Sequence, residues 1–259
     1  MTDAPLVELI NVGKTYANGA VAVEGFTATL GEGEFVSLLG PSGCGKSTVL
    51  RMIAGLSRPT HGAIRRVWED SSQVGAGAQP PLGCVFQEPT LLPWATTWNN
   101  VYLPLRLRGA SKSEARRQVD EALELVGLTG FAKAYPRELS GGMKMRAAVA
   151  RALITHPRLL LLDEPFAALD EITRSRLNDD LRAIWLEQRW TVLFITHSVF
   201  ESVYLSNRIL VMSSRPGQII EEIAVTLPPE RTSETRTNFA YHALCRQTSV
   251  ALRSALVDA

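Results

Sequence analysis

No run in this 259-residue chain is long and apolar enough to cross a bilayer, which takes about 20 residues. The longest candidates, Leu159 to Leu162 and Ala147 to Ile154, are far shorter, and Arg151 breaks the second. Any contact with a membrane is therefore expected through a partner. An excess of one charge sign is missing too: 27 Lys and Arg face 26 Asp and Glu, leaving a net +1. That balance sets up no whole-protein field to draw in nucleic acid or an anionic membrane, and no nucleic-acid partner is expected. Cysteine is scarce. Cys44, Cys84 and Cys245 are scattered without CxxC spacing, which argues against a disulfide framework or a zinc site and fits a reducing compartment. The first residues carry Asp3 and Glu8 where a secretory signal needs a cationic start and an apolar stretch, so no signal peptide is expected. Internal repeats and low-complexity tracts are also missing, leaving one large domain, or one domain with a sub-domain inserted.

What is present begins with strands. Leu6 to Val12, Val21 to Glu24 and Phe26 to Leu30 are short, rich in β-branched or aromatic residues, and punctuated by Asn18-Gly19 and Gly31-Glu32-Gly33. Phe35 to Leu39 is apolar except for Ser37, close to the pattern of a strand buried on both faces of a sheet. A glycine-rich turn and a helix from about Lys46 to Ala54 follow, then an exposed loop from Ser71 to Pro81. In the middle, Ala115, Val119, Ala122, Leu123 and Val126 fall at helical spacing, and another helix runs from Ser140 toward His156, stopped by Pro157. Strands return at Leu159 to Leu162 and Val192 to Thr196, joined by a helix whose inner face is Leu177, Leu181, Ile184 and Trp185. Arg208 to Ser213 and Ile219 to Val225 close the sheet. From Pro228 the pattern weakens to a polar linker and one amphipathic helix, Phe239 to Leu256.

Two stretches carry phosphate chemistry. Gly40-Pro41-Ser42-Gly43-Cys44-Gly45-Lys46-Ser47-Thr48 fits G-x-x-x-x-G-K-[ST], between an apolar strand and a helix. There the glycines let successive N–H groups curl around a phosphate, and the helix adds its positive N-terminal dipole. Lys46 then reaches the β- and γ-phosphates, and the Ser47 hydroxyl is placed for Mg²⁺. Leu159 to Leu162 ends in Asp163 and Glu164, at the strand end where open α/β sheets bind ligands. Asp163 can hold Mg²⁺ through its water shell, and Glu164 can orient and deprotonate an attacking water. Cys44, beside Lys46 and a helix start, is either a reactive thiol or a small residue supplying its N–H.

Leu139-Ser140-Gly141-Gly142 stands at a helix start, where free N–H groups could hold a second phosphate, one belonging to a neighbouring molecule. With it the chain resembles the ATP-binding cassette (ABC) family, whose signature is LSGGQ, over nearly all of residues 5 to 226. The resemblance implies that Tyr16 stacks on adenine, that Gln87 sits near Mg²⁺ and the lytic water, that Ala168-Leu169-Asp170 forms the D-loop, and that His197 stands at the γ-phosphate. Met143 and Met145 stand where that family usually has Gln. Met143, together with Leu91-Leu92-Pro93-Trp94, resembles the nitrate, sulfonate and taurine importer group.

The implied fold is α/β: a P-loop NTPase (RecA-like) core over residues 1–227, with an antiparallel β sub-domain and a helical sub-domain inserted at about 88–157, followed by a tail over 228–259. The implied activity is hydrolysis of ATP with Mg²⁺ by two copies paired head to tail, on the cytoplasmic side of the cell membrane. The implied partners are membrane permease subunits docking near Leu91, Leu92 and Trp94, and indirectly a periplasmic solute-binding protein. Simple packing inside the sub-domain is the other reading of Leu91 to Trp94. Rival readings are a soluble ABC-type ATPase acting on nucleic acid or the ribosome, and a subunit for another solute or for export. A GTPase is disfavoured because no [NT]KxD guanine reader is present.

Overall fold

The computed structural model describes residues 5–70 and 82–257. The loop expected from Ser71 to Pro81 lies outside the described residues. Contacts divide the chain into two compact units, one built from residues up to Pro80 and from Trp185 onward, the other from Pro81–Ile184.

The first unit opens with β1 (Pro5–Thr15), β2 (Val21–Gly31), β3 (Phe35–Leu39), α1 (Lys46–Ile53), β4 (His61–Arg66) and the short α2 (Val67–Asp70). Strands β2, β1 and β4 form a three-stranded antiparallel sheet in that order. Along β2, Phe26, Ala28 and Leu30 are buried while Thr27 and Thr29 are exposed, the alternation of a half-buried strand. Val21 to Glu24 and Phe26 to Leu30 are therefore one strand, not two. Gly25, at φ 61°, bends it without ending it.

The second unit holds β5 (Leu82–Val85), α3 (Thr97–Leu107), α4 (Lys112–Leu125), α5 (Gly141–Leu153), β6 (Leu159–Asp163) and most of α6 (Glu171–Gln188). Strands β5 and β6 pair in parallel. Helix α4 starts on a capping box, with Ser111 and Glu114 bonding each other's N–H groups, and buries Ala115, Val119 and Leu123. Helix α5 is capped at its start by Ser140 and ends at Leu153; His156 adopts φ 49° before Pro157, a left-handed stop.

The chain returns to the first unit through β7 (Thr191–Thr196), α7 (Val199–Leu205), β8 (Arg208–Met212), β9 (Ile219–Ala224) and α8 (Phe239–Val257). Strand β3 lies between β7 and β8, parallel to both, and β9 closes antiparallel on β8. Enclosed on both edges, all five residues of β3 are buried, as its largely apolar sequence requires, and the one polar member, Ser37, bonds Ser206. Phe35 anchors the core, with Trp185 edge-on at 5.8 Å and Phe194 at 6.0 Å.

Candidate functional site

In the first unit, the turn after β3 is shaped by close approaches. Gly45 is the N-cap of α1 at φ 108°, and a Cβ there would lie 2.6 Å from the Ala22 carbonyl; only glycine satisfies both. A Cβ on Gly40 would sit 2.9 Å from Cys44 Sγ and 3.0 Å from Met212 Cβ. Lys46 is 4% exposed, and its Nζ donates to the carbonyls of Gly40 (2.9 Å) and Pro41 (2.8 Å). The ammonium thus lies in the curl of the loop. Ser42 and Gly43 face solvent, Pro41 and Ser47 are half-buried, and Thr48 is buried. The structure brings Tyr16 to this loop: its hydroxyl lies 3.0 Å from Thr48 Oγ1, with the ring partly exposed.

Of the two readings of Cys44, its burial at 1% exposure favours the small residue that supplies its backbone N–H over the reactive thiol. A brace behind the loop was not legible in the sequence. Arg215 Nη2 donates to Gly43 O at 2.9 Å, and a Cβ on Gly217 would meet Cys44 O at 2.2 Å. His197, exposed, stands just past β7 in the same unit.

The second unit holds the remaining candidates. Asp163, the last residue of β6, is 8% exposed. Glu164 follows, half-buried and at φ 45°. A left-handed backbone costs a non-glycine residue about 1–2 kcal/mol, and such positions concentrate at functional sites. Gln87 is exposed beyond β5. The segment after it is clamped by Arg151, on the last turn of α5, which donates to Pro89 O (2.9 Å), Thr90 O (2.9 Å) and Thr90 Oγ1 (3.1 Å). In the sequence alone, Arg151 stands out only as an interruption in an apolar run.

Next comes the turn from Leu91 to Ala95, pinned from inside by the buried Asn100. Its Oδ1 accepts from Leu92 N at 2.7 Å, and its Nδ2 donates to Leu92 O at 3.2 Å and Ala95 O at 3.0 Å. Leu91 and Leu92 are half-buried, while Trp94 is 74% exposed. Trp94 is not a packing residue of its own sub-domain.

The helix start at Ser140 lies beside the turn leading into α6. Ser140 Oγ accepts from Met143 N at 3.3 Å, which uses a lone pair and leaves the O–H to donate. Gly141 and Gly142 are the first two helical residues, whose N–H groups have no place in the helix ladder. A Cβ on Gly141 would approach Leu169 Cδ2 at 3.4 Å, and one on Gly142 would approach Thr173 Cγ2 at 2.9 Å. Both glycines therefore pack on the turn that leads into α6. Asp170 is exposed and accepts from Thr173 N at 2.9 Å, and that bond holds its carboxyl below the usual range. Met145 is 3% exposed and lines a cavity of about 30 Å³ with Phe166, Leu177 and Leu181, beside the 2.6 Å ion pair of Arg146 and Asp180. It fills space on α6, which an unbranched thioether does well.

Comparisons with known proteins show which family the chain belongs to. The ABC transporter family model matches residues 23–167. A nitrate import ATP-binding protein of Synechocystis is 47% identical, the match covering 84% of this chain and 80% of that one. An aliphatic sulfonates import ATP-binding protein of Bacillus licheniformis is 47% identical, over 79% of this chain and 77% of that one. Among solved structures, an ATP-binding cassette dimer in a post-hydrolysis state with ADP and Pi superposes with a TM-score of 0.73 and 35% identity, covering 86% of this chain and all (100%) of that one. A phosphate loop on an enclosed parallel strand, a second glycine-rich helix start and relatives of this likeness together identify the chain as a member of the ABC transporter family, an ATP-binding protein with ATPase activity.

Proposed function

We propose that this chain powers import of a small anionic solute, nitrate or a sulfonate, through a membrane permease, by closing and reopening as a pair of copies around ATP. One observation carries the reading. Each chain has a phosphate loop and, at the start of α5, a second helix N-terminus with exposed Ser140 and Gly141. Two copies facing head to tail give each ATP a loop from one and a signature from the other. The dimeric form of the solved cassette supports that pairing, and the two import relatives support the direction and the solute class.

Within this reading, residues 1–227 are the ATP-binding domain and about 88–157 its helical sub-domain. The backbone N–H groups from Gly40 to Thr48 cradle the phosphates, and Lys46 releases the loop carbonyls to hold the β- and γ-oxygens. Tyr16 stacks on adenine. Ser47, Gln87 and Asp163 offer hydroxyl, amide and carboxylate oxygens, hard donors of the kind Mg²⁺ takes alongside substrate phosphates. Mg²⁺ would supply neutralisation of phosphate charge. Glu164 takes the proton of the attacking water, His197 holds the γ-phosphate, and Gln87 and Asp170 position that water and the neighbouring copy.

The permease would dock on Trp94, Leu91 and Leu92, placing this subunit on the cytoplasmic face of the cell membrane. A periplasmic solute-binding protein would deliver the cargo. Among the described residues no helix is long and apolar enough to span a membrane. The test is uptake of labelled nitrate and of an alkyl sulfonate by cells lacking this gene. Uptake of one should fall and return with the wild-type chain but not with Glu164→Gln; unchanged uptake of both would refute the solute assignment.

A further inference from the structure

The segment after Pro228 lies beyond the residues that the family model matches, yet it is bonded to the helix that follows His197. Both neighbours of His197 are tied to α7. Thr196 Oγ1 donates to Glu201 Oε2 at 2.5 Å, Ser198 N donates to Thr196 Oγ1 at 3.0 Å, and Ser198 Oγ caps the helix by accepting from Glu201 N at 3.3 Å. The position of α7 therefore fixes the backbone on both sides of His197. With only seven residues, α7 is far below the about 12–15 that hold a helix on their own, so its orientation must come from its surroundings.

The tail supplies it at the opposite end. Arg231, 6% exposed, donates through Nη1 to Val203 O (3.1 Å) and Tyr204 O (2.6 Å), and through Nε to Pro228 O (3.1 Å). The Tyr204 hydroxyl answers with a bond to Arg231 O at 3.0 Å. Arg236 stacks its guanidinium 3.7 Å over the Tyr204 ring, and Tyr241 of α8 donates to Phe200 O at 3.2 Å. A cation is favoured at the carbonyl end of a helix, and burial lowers the Arg231 pKa only to about 10, so it stays charged at neutral pH. Burying a guanidinium is costly, and apolar packing could brace a helix as firmly. What the planar fork adds is direction.

We propose that the segment from Pro228 through α8 is a positioning element of the ATPase, in which Arg231 clamps the carbonyl end of α7 and thereby sets where His197 stands. The proposal rests on the reading of His197 as the γ-phosphate residue. It is tested on the full-length chain by steady-state ATPase assays of Arg231→Met, Arg231→Lys, His197→Ala and the double variant His197→Ala/Arg231→Met. Misplacing a catalytic group by a fraction of an ångström should lower kcat about 10-fold in Arg231→Met, with KM for ATP within about 2-fold. Lys, which keeps the charge and donors but not the fork, should recover about half of the loss. If Arg231 acts through His197, adding Arg231→Met to His197→Ala should change kcat less than about 2-fold.

An equal loss in both backgrounds, or wild-type kcat in Arg231→Met, would overturn the proposal. Should Arg231→Met fail to fold, Tyr241→Phe keeps the ring and removes only the donor to Phe200 O. It should lower kcat about 3-fold with the same dependence on His197, and independence of His197 would again overturn the proposal. Wild-type turnover in His197→Ala sinks the underlying reading and the tail proposal together. An impaired His197→Ala with independent effects sinks the tail proposal alone.

Discussion

The three cysteines show how position in space overrides position in sequence. Cys44 sits next to Lys46 at a helix start, the setting of a reactive thiol, but the loop needs only its backbone and turns its side chain inward at 1% exposure. Burial pushes the Cys84 and Cys245 thiols from 9.0 up to about 11, and it raises the Tyr241 phenol as well. Native protein at neutral pH should therefore resist iodoacetamide, with all three cysteines labelled only after denaturation, as read by intact mass. Rapid native labelling of Cys44, blocked by ATP, would show that the loop opens. The same shifts fix the alkaline behaviour. A thiol whose folded pKa lies above its unfolded value stabilises the fold fully below about pH 9 and loses that contribution as pH rises toward about 11. Melting temperature should fall across that window, and a flat profile would contradict the burial assigned to these groups.

Among the elements, α5 does two jobs whose requirements can be separated. In the proposed reading the Gly142 N–H serves the nucleotide of a paired copy, but Gly142 is also the residue on which Thr173 rests. Alanine at Gly142 should gain up to about 1 kcal/mol of helix propensity against about 1–3 kcal/mol of overpacking on the Thr173 methyl. Gly142→Ala is thus expected to destabilise the wild-type background and to stabilise Thr173→Ser, where that methyl is gone. Thermal melts of the four proteins read the coupling, and additive effects would mean the contact is not tight. The turn at Trp94 makes the opposite prediction. Since Trp94 is 74% exposed and Asn100 braces the turn from within, Trp94→Ala should change stability by less than about 0.5 kcal/mol while permease binding weakens by about 2 kcal/mol. A large loss of melting temperature with permease affinity intact would refute docking.

Element by element, what the sequence disclosed follows a physical rule. β3 and β6 were readable because enclosure on both faces demands a run that is apolar or nearly so, and α5 because a capping serine precedes its pattern. β5 escaped notice. It has only four residues, and Gly83 is there because a Cβ would lie 2.9 Å from Ala152 O, a neighbour 69 positions away in the numbering. α7 was invisible because seven residues give no period to detect. Of the candidate site, each glycine-rich turn and acidic strand end could be read locally. The positive φ of Glu164 could not, because nothing in the residue type announces it, nor could the Arg151 clamp and the Arg215–Gly217 brace, which join chain segments far apart in sequence.

At the scale of the whole molecule, the proposed cycle of two copies uses two glycine-rich helix starts carried by one chain. ATP, and not ADP, should drive pairing, and the pair should persist only while hydrolysis is blocked. Glu164→Gln is the variant that blocks it, because the amide keeps the shape of the side chain but cannot take the proton from water. The most direct measurement is size exclusion of Glu164→Gln with MgATP, beside its turnover. The account predicts an ATP-dependent dimer with ATP retained and turnover about 10²–10⁴-fold below wild type. A monomer at saturating MgATP, or turnover at the wild-type rate, would contradict it.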